Sequence, residues 1–580
     1  MSDAQAVPRY RPRTRREILD PTSAVALPTA EEASLVPPPS LALAVYNRAA
    51  FGPRPGDLAA FEALGPDDDS RLAAWLAAQL APVDLDDADY IARRDGDAGL
   101  GIPTSGFVTL GKSLGQLWAD HQINSPTQPS RPVDETRLDT FLRMVYSKWQ
   151  LREVLVDFWL NHFNVYGFEN YTRSTFVHWN RDVVRANLFG NFRTMLEAAA
   201  RSTTMLYYLD NYTNTRSGPN ENYARELIEL HTLGAMNYLG VGLPGGVPAG
   251  DPWPAGAPNA GAPAPLGYVD NDVYETTRVL TGWSVDTATG TFLYTDGNHD
   301  RFAKSILAFG FQNFPADRGE IEGSDLFDLL AAHPGTGRHL ATKLCRRLVA
   351  DDPPAALVDA VAAVFTGQWQ ATDQLAQVYA AIVDSLEFKS TWGEKTKRPV
   401  EFLASAMRAI GANWHFGYTN QNPLTLESDT SSLLSRLSKT GQNLFSRVPP
   451  DGYPDRTAAW ISSNTRVQCW RLAAWLIDQD IDGSSATDDF RLDVIGVSQA
   501  AFPPVPPDTA PRASSNALVD YWIDRVLGRT LPPVEREEIV DFMAAGANPT
   551  FLLDLSQSSV KSRLRSMVAL VLMTPEFLVK

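Results

Sequence analysis

Carboxylates, amides and one histidine gather in LDNYTNTRSGPNENYARELIELHTLG, residues 209–234. Gly218 and Pro219 are expected to open a helix there and Gly234 to close it, because proline is tolerated at the first helical position and Glu221 suits the positive end of the dipole. At 100° per residue, Glu221, Arg225 and Glu229 fall within about 80° of one another, and Asn222 and Glu226 widen the stripe to about 140°. Tyr223, Leu227 and Leu230 lie opposite. His231 projects with the apolar side, so Glu229 and His231 lack the i, i+3 or i, i+4 spacing of a metal pair.

A second group sits in LDTFLRMVYSKWQLREVLVDFWLNHFNV, which reads as one long helix from Leu138 to Val165. Glu153, Asp157 and Asn161 share a stripe on it, and His162 lies about 100° further round. A third pair, His299 and Asp300, falls in a loop after a turn, where scaffolds often carry chemistry. If these groups converge on one polar pocket, Glu226, His162 and Asp300 are the candidate catalytic residues. Asn161, Asp210, Asn222, Arg225 and Trp283 are then candidates for binding a ligand. Glu221, Glu226, His162 and His299 are candidate ligands of a divalent metal, which would lower the pKa of a bound water for hydrolysis or bind oxygen. No signature such as H-E-x-x-H or a paired Glu-x-x-His accompanies them.

The competing reading is a satisfied network, with Arg225 paired to Glu221 or Glu229, Asn220 and Asn222 capping the turn, and His162 donating to a carbonyl. HPGTGRHLATKLCRRLV poses the same choice. Its Arg338, His339, Lys343, Arg346 and Arg347 cover about half of a helix circumference, either to clamp an anionic ligand or to pair with acidic neighbours. Ser462 and Ser463 lack a G-x-S-x-G context, and no Gly-rich phosphate loop is present.

The elements that must position these residues are mainly α-helical, organised as one large domain over 41–580 after a Pro-, Ala- and Glu-rich arm at 1–40 expected to be disordered. TGTFLYTDG alternates and predicts a small β-hairpin or short sheet near 283–310. Residues 240–265 read as a Gly/Pro/Ala loop without regular structure, an insertion or lid, and 480–515 as a polar linker. A formal charge of −17 over 580 residues argues against a nucleic-acid partner, whose phosphates need clustered cations. Cys345 and Cys469 are too few for a disulfide framework or thiolate zinc site. No apolar run reaches the roughly 18 residues of a membrane helix, so no integral membrane segment is expected. No signal-peptide pattern follows Arg15-Arg16, which makes the cytoplasm the expected location.

Taken in order, YNRAAFGP, FWLNHFNV, NENYARELIELHTLG, YVDNDVYETTRVLTGW, HPGTGRHLATKLCRRLV, KRPVEF and PPDGYP resemble the bacterial domain-of-unknown-function 1800 family. The resemblance runs from about residue 40 to the last residues. It implies a mainly helical protein without a settled activity. It also implies a possible non-enzymatic role in binding or assembly with a sulfatase-like partner encoded nearby, and export to the cell envelope as the alternative location. Typical members carry Phe where this chain has His231.

Overall fold

Five polar residues, Gln150, Arg152, Glu153, Asp157 and His162, lie buried along one helix in the computed structural model. The helix Gln150–His162 buries every side chain except Asn161. A helix enclosed on all sides must find a partner for each polar group it carries, and these partners organise much of what surrounds it. The structure describes residues 37–99, 101–123, 128–414, 416–418, 426–478 and 492–580. The expected arm at 1–40 therefore lies almost wholly outside the described residues.

The single helix expected over 138–165 is two. Arg131–Tyr146 ends at Ser147, whose backbone is extended, and the chain restarts at Gln150. No proline or glycine marks the break. Asp87 holds it instead, accepting from the Ser147 hydroxyl at 2.6 Å and from the Lys148 amide at 3.0 Å. A contact across 60 residues thus overrides local helix propensity.

Around this helix the fold is mainly α-helical. Pro399–Ile410, also buried along its whole length, packs on Arg131–Tyr146. Pro334–Leu348 packs on Ala355–Gly367, and Ser463–Asp478 on Ser558–Leu572. Buried apolar side chains form one cluster reaching from Ala42 to Leu578. Among the described residues, β-structure is confined to three two-stranded antiparallel sheets. One is the expected hairpin, Trp283–Asp286 against Thr291–Tyr294, with Trp283 opposite Tyr294. No helix among the described residues is long and apolar enough to cross a membrane.

Two expectations need correction. The 240–265 stretch is not a structureless loop, because Ala249–Pro252 pairs with Pro263–Pro265 in an irregular ladder. Trp253 anchors it, 3% exposed and edge-on to His333 at 4.9 Å. Burial of one large aromatic ring offsets the ordering entropy of a Gly-rich segment. In the 480–515 stretch, residues 480–491 lie outside the described residues, but Val494–Ala501 is helical and Arg512–Ser514 pairs with Leu552–Asp554. That part is built structure rather than linker.

Candidate functional site

The acidic stripe of the central helix is satisfied residue by residue. Glu153 accepts from Arg185 at 3.0 and 2.7 Å. Asp157 accepts from Arg347 at 2.9 Å and from Arg398. Asn161 exchanges two hydrogen bonds with the Tyr453 backbone, at 2.8 and 2.7 Å. These contacts bring together segments far apart in sequence, and they leave a cavity of about 200 Å3 at the end of the helix. Its walls are His162, the Lys343-to-Arg347 turn of Pro334–Leu348, Arg398, and the loop 451–456.

That loop is held firmly. Besides Asn161, Asn164 donates to the carbonyls of Arg447 and Pro449, Lys395 donates to the Asp455 carbonyl, and Trp460 donates to Pro454. Gly452 adopts φ +74°, and a Cβ there would strike the Asn161 carbonyl oxygen. Glycine is required at that position because the loop lies directly on the helix end.

Charge pairing around the cavity is uneven. Arg347 pairs with Asp157 and Glu401, Arg398 with Asp157 and Glu401, Lys395 with Asp351 and Asp455, and Arg456 with Asp352. Burial alone would raise the Glu401 carboxyl, but Arg347, Lys580 and Arg398 outweigh it and hold the group well below the usual range. Among the described residues, Lys343 and Arg346 have no carboxylate within salt-bridge distance. Arg346 Nε donates to the Asp351 carbonyl at 2.9 Å. Lys343 Nζ donates to His162 Nδ1 at 2.9 Å. Three residues apart on one helix, the two cations share a face.

His162 is poised as an acceptor. Its Nε2 donates to the His231 carbonyl at 3.2 Å, which fixes Nδ1 as the unprotonated nitrogen facing Lys343. Burial, and then the Lys343 charge, holds its pKa well below the ordinary value, so the ring is neutral. Phe158 stacks parallel to it at 6.1 Å and Trp159 meets it edge-on at 5.2 Å. Burial pushes Lys343 down to about 8, only partly opposed by Asp455. The arrangement can hold an anion and exchange a proton with it.

A larger cavity of about 680 Å3 is lined by Arg94, Arg143, Arg152, Arg181 and Arg185. Each of those arginines already has a carboxylate, so its charge is balanced internally.

Not all of the candidate residues meet. Asn161 and His162 reach the small cavity. Glu226 lies near Asp451 on its rim, and burial with the Glu229 charge raises its pKa to about 7. His299 is fully buried elsewhere, with Nδ1 at 2.9 Å from the Thr281 carbonyl and Nε2 at 3.4 Å from Glu322. Asp300 accepts both Arg278 nitrogens at 3.0 Å. Trp283 is a core residue at 0% exposure. Asp210, Glu221 and Asn222 are exposed, and Arg225 pairs with Glu221 at 3.4 Å and with Asp270 at 3.6 Å. Asn220 caps the turn as the alternative reading required, accepting from the Asn222 amide at 3.1 Å. Among the described residues, no group of three or more His, Cys, Asp or Glu side chains is arranged to hold a metal ion.

The wheel over 218–234 placed residues imperfectly for a structural reason. The helix starts at Asn222, after a Thr215–Gly218 bridge, and Leu227–His231 winds as a π turn. A π turn takes more residues per revolution, so phases drift beyond it. His231 still faces inward, 1% exposed, and burial depresses its pKa to about 3. The sequence reading did not single out Arg456, Asp451 or Asp455, and named Lys343 and Arg346 only as part of a basic face. An excess of cations on one helix of an acidic chain was the available signal.

Fold and cavity together define a class: a helical protein with a lysine–histidine pair in a loop-closed cationic cleft. Residues 44–579 match the family model described as "Protein of unknown function (DUF1800)", and the chain belongs to that family. No curated protein and no solved structure matches it.

Proposed function

We propose that the protein binds a small anion in the cleft between Lys343, Arg346 and His162. The observation that carries this reading is a pair of cations that, among the described residues, make no salt bridge, in a chain of net charge −17, with Asp451 and Asp455 of the same cavity opposing them only from a distance. Leaving two like charges one turn apart, partly desolvated, is unfavourable unless a ligand compensates them. A charge-assisted hydrogen bond to each contributes about 1.5–3 kcal/mol. The cavity of about 200 Å3 lies below the roughly 300–1,000 Å3 of drug-sized pockets, so the ligand is small.

Titrating the full-length protein calorimetrically with inorganic sulfate and phosphate tests this. Saturable binding to the wild type, weakened at least about tenfold in Arg346→Ala, a change of about 1.4 kcal/mol, is expected. Affinity falls as pH rises through about 8, because Lys343 loses the charge the anion needs. Equal binding by wild type and variant would sink the reading. The metal-dependent hydrolytic or oxidative reading is checked on the same preparation. Near-stoichiometric metal by elemental analysis, lost in a His162→Ala, Glu226→Gln double variant, would favour it over a simple anion site.

One observation favours a second reading, assembly with a sulfatase-like partner as the family resemblance suggested. Met236, Val241 and Leu243 are 94%, 88% and 83% exposed within one short stretch. Contiguous apolar exposure of this kind marks interaction surfaces.

A further inference from the structure

We infer that Lys343 is a nucleophile that condenses with the carbonyl of a small 2-oxo acid, the cleft's cations receiving the acid's carboxylate. The inference rests on the anion-binding reading and names its ligand class. Three features of the geometry carry it.

Lys343 Nζ has one hydrogen-bond partner among the described residues, and that partner is an acceptor, the Nδ1 of His162 at 2.9 Å. Two buried lysines nearby are paired with carboxylates, Lys395 with Asp351 and Asp455, and Lys580 with Glu401, whereas Lys397 meets the Ser405 hydroxyl. Lys343 meets instead the unprotonated Nδ1 of a neutral imidazole, which positions Nζ without neutralising its charge. Its pKa of about 8 leaves a usable fraction of free amine near neutrality.

The second feature is the guanidinium of Arg346 on the same face, three residues on. Among the described residues it makes no salt bridge, although Asp352, Asp455 and Asp351 act on it from further off, and it is suited to a planar carboxylate, which a guanidinium can grip with two nitrogens. A ligand held there through its carboxylate presents an adjacent carbonyl carbon toward the Lys343 turn. Inorganic anions satisfy the cations but make no use of the lysine–histidine pair. A 2-oxo acid uses both.

The third is confinement. The walls of the cavity are the ends of packed helices and the pinned loop 451–456, and its size of about 200 Å3 admits only a few heavy atoms, with Lys343 and Arg346 half-buried at its open side.

The step balances without a co-reactant. After the ammonium releases one proton to solvent, the Nζ lone pair forms a bond to the carbonyl carbon and one of the two remaining amine protons passes to the carbonyl oxygen. The second amine proton then leaves with that hydroxyl as one water, and a C=N bond joins Lys343 to the acid. His162, with Nε2 anchored on the His231 carbonyl, holds Nζ in place through Nδ1 during the exchange.

The test is reductive trapping. Full-length protein is incubated with pyruvate and sodium cyanoborohydride, which reduces a C=N bond to a stable amine, and is then mapped by peptide mass spectrometry. A single reduced adduct on the Lys343 peptide is expected, with a rate that rises through about pH 8. Lys343→Arg should lose the adduct, and His162→Gln should slow trapping and flatten its pH profile. Peptide mapping of the wild type decides the matter even if a variant folds poorly. No adduct, or one spread equally over other lysines such as Lys148 and Lys389, overturns the inference. Sulfate binding by the same wild-type protein separates the two readings: binding without an adduct sinks the imine alone, and an adduct that sulfate neither competes with nor binds beside sinks the simple anion site.

Discussion

Glu226 shows how burial assigns a residue its behaviour. It sits partly buried beside Glu229 and Asp451, and its pKa rises to about 7 from an unfolded value near 4.3. A carboxyl raised on folding contributes stability that is fully present below the unfolded pKa and is lost as pH rises through the folded one. Glu226→Gln is therefore expected to melt at a higher temperature than wild type at pH 8, by on the order of 1 kcal/mol after discounting for partial exposure, with the difference vanishing by about pH 4. Thermal melts across that range decide it. A variant less stable at pH 8 would mean that Glu226 holds a cation or an unrecognised partner. Asp157 lies instead between Arg347 and Arg398 and pairs with both.

At the scale of elements, the cleft depends on the loop 449–456 lying against the end of Gln150–His162. Gly452 makes that approach possible, so Gly452→Ala combines a strained φ of +74° with a collision on Asn161. Gly441 also has a positive φ, +92°, but nothing lies within 4 Å of a Cβ built there. Gly441→Ala should therefore cost only the backbone strain, about 1 kcal/mol. Gly452→Ala should cost more, about 2–3 kcal/mol, and should weaken sulfate binding with it. Equal melting temperatures for the two variants would show that the loop yields freely. The interruption at Ser147 is a second element-scale feature, made by Asp87 and without a local sequence cause.

Across the whole molecule, the cleft joins residues from 157 to 580 through one buried ionic network, which the apolar cluster from Ala42 to Leu578 encloses. The surface away from it offers the exposed run at Met236, Val241 and Leu243. If that run docks a sulfatase-like partner, the double variant Val241→Glu, Leu243→Glu should lose co-purification with the partner when the two are co-expressed, while its sulfate titration stays unchanged. Retained co-purification would move the contact elsewhere.

Much of this protein was determined by the sequence alone. Helical periodicity, a hairpin near 283–310 and the inward face of His231 follow from local patterns of apolar spacing, and the family from motifs met in order along the chain. The basic face of Pro334–Leu348 was legible too, but not which of its cations were free. Arg347 and Lys343 are four residues apart with the same charge, yet one meets Asp157 and Glu401 and the other meets only His162. That difference is decided by carboxylates 190 and 54 residues away from Arg347 in the chain. Likewise Glu226, His162 and His299 look alike as titratable groups beside apolar runs, and only packing sends His299 to Glu322 and His162 to Lys343. Composition sets how many charges a chain carries, whereas desolvation and pairing, which are properties of the folded interior, decide which of them remain available for chemistry.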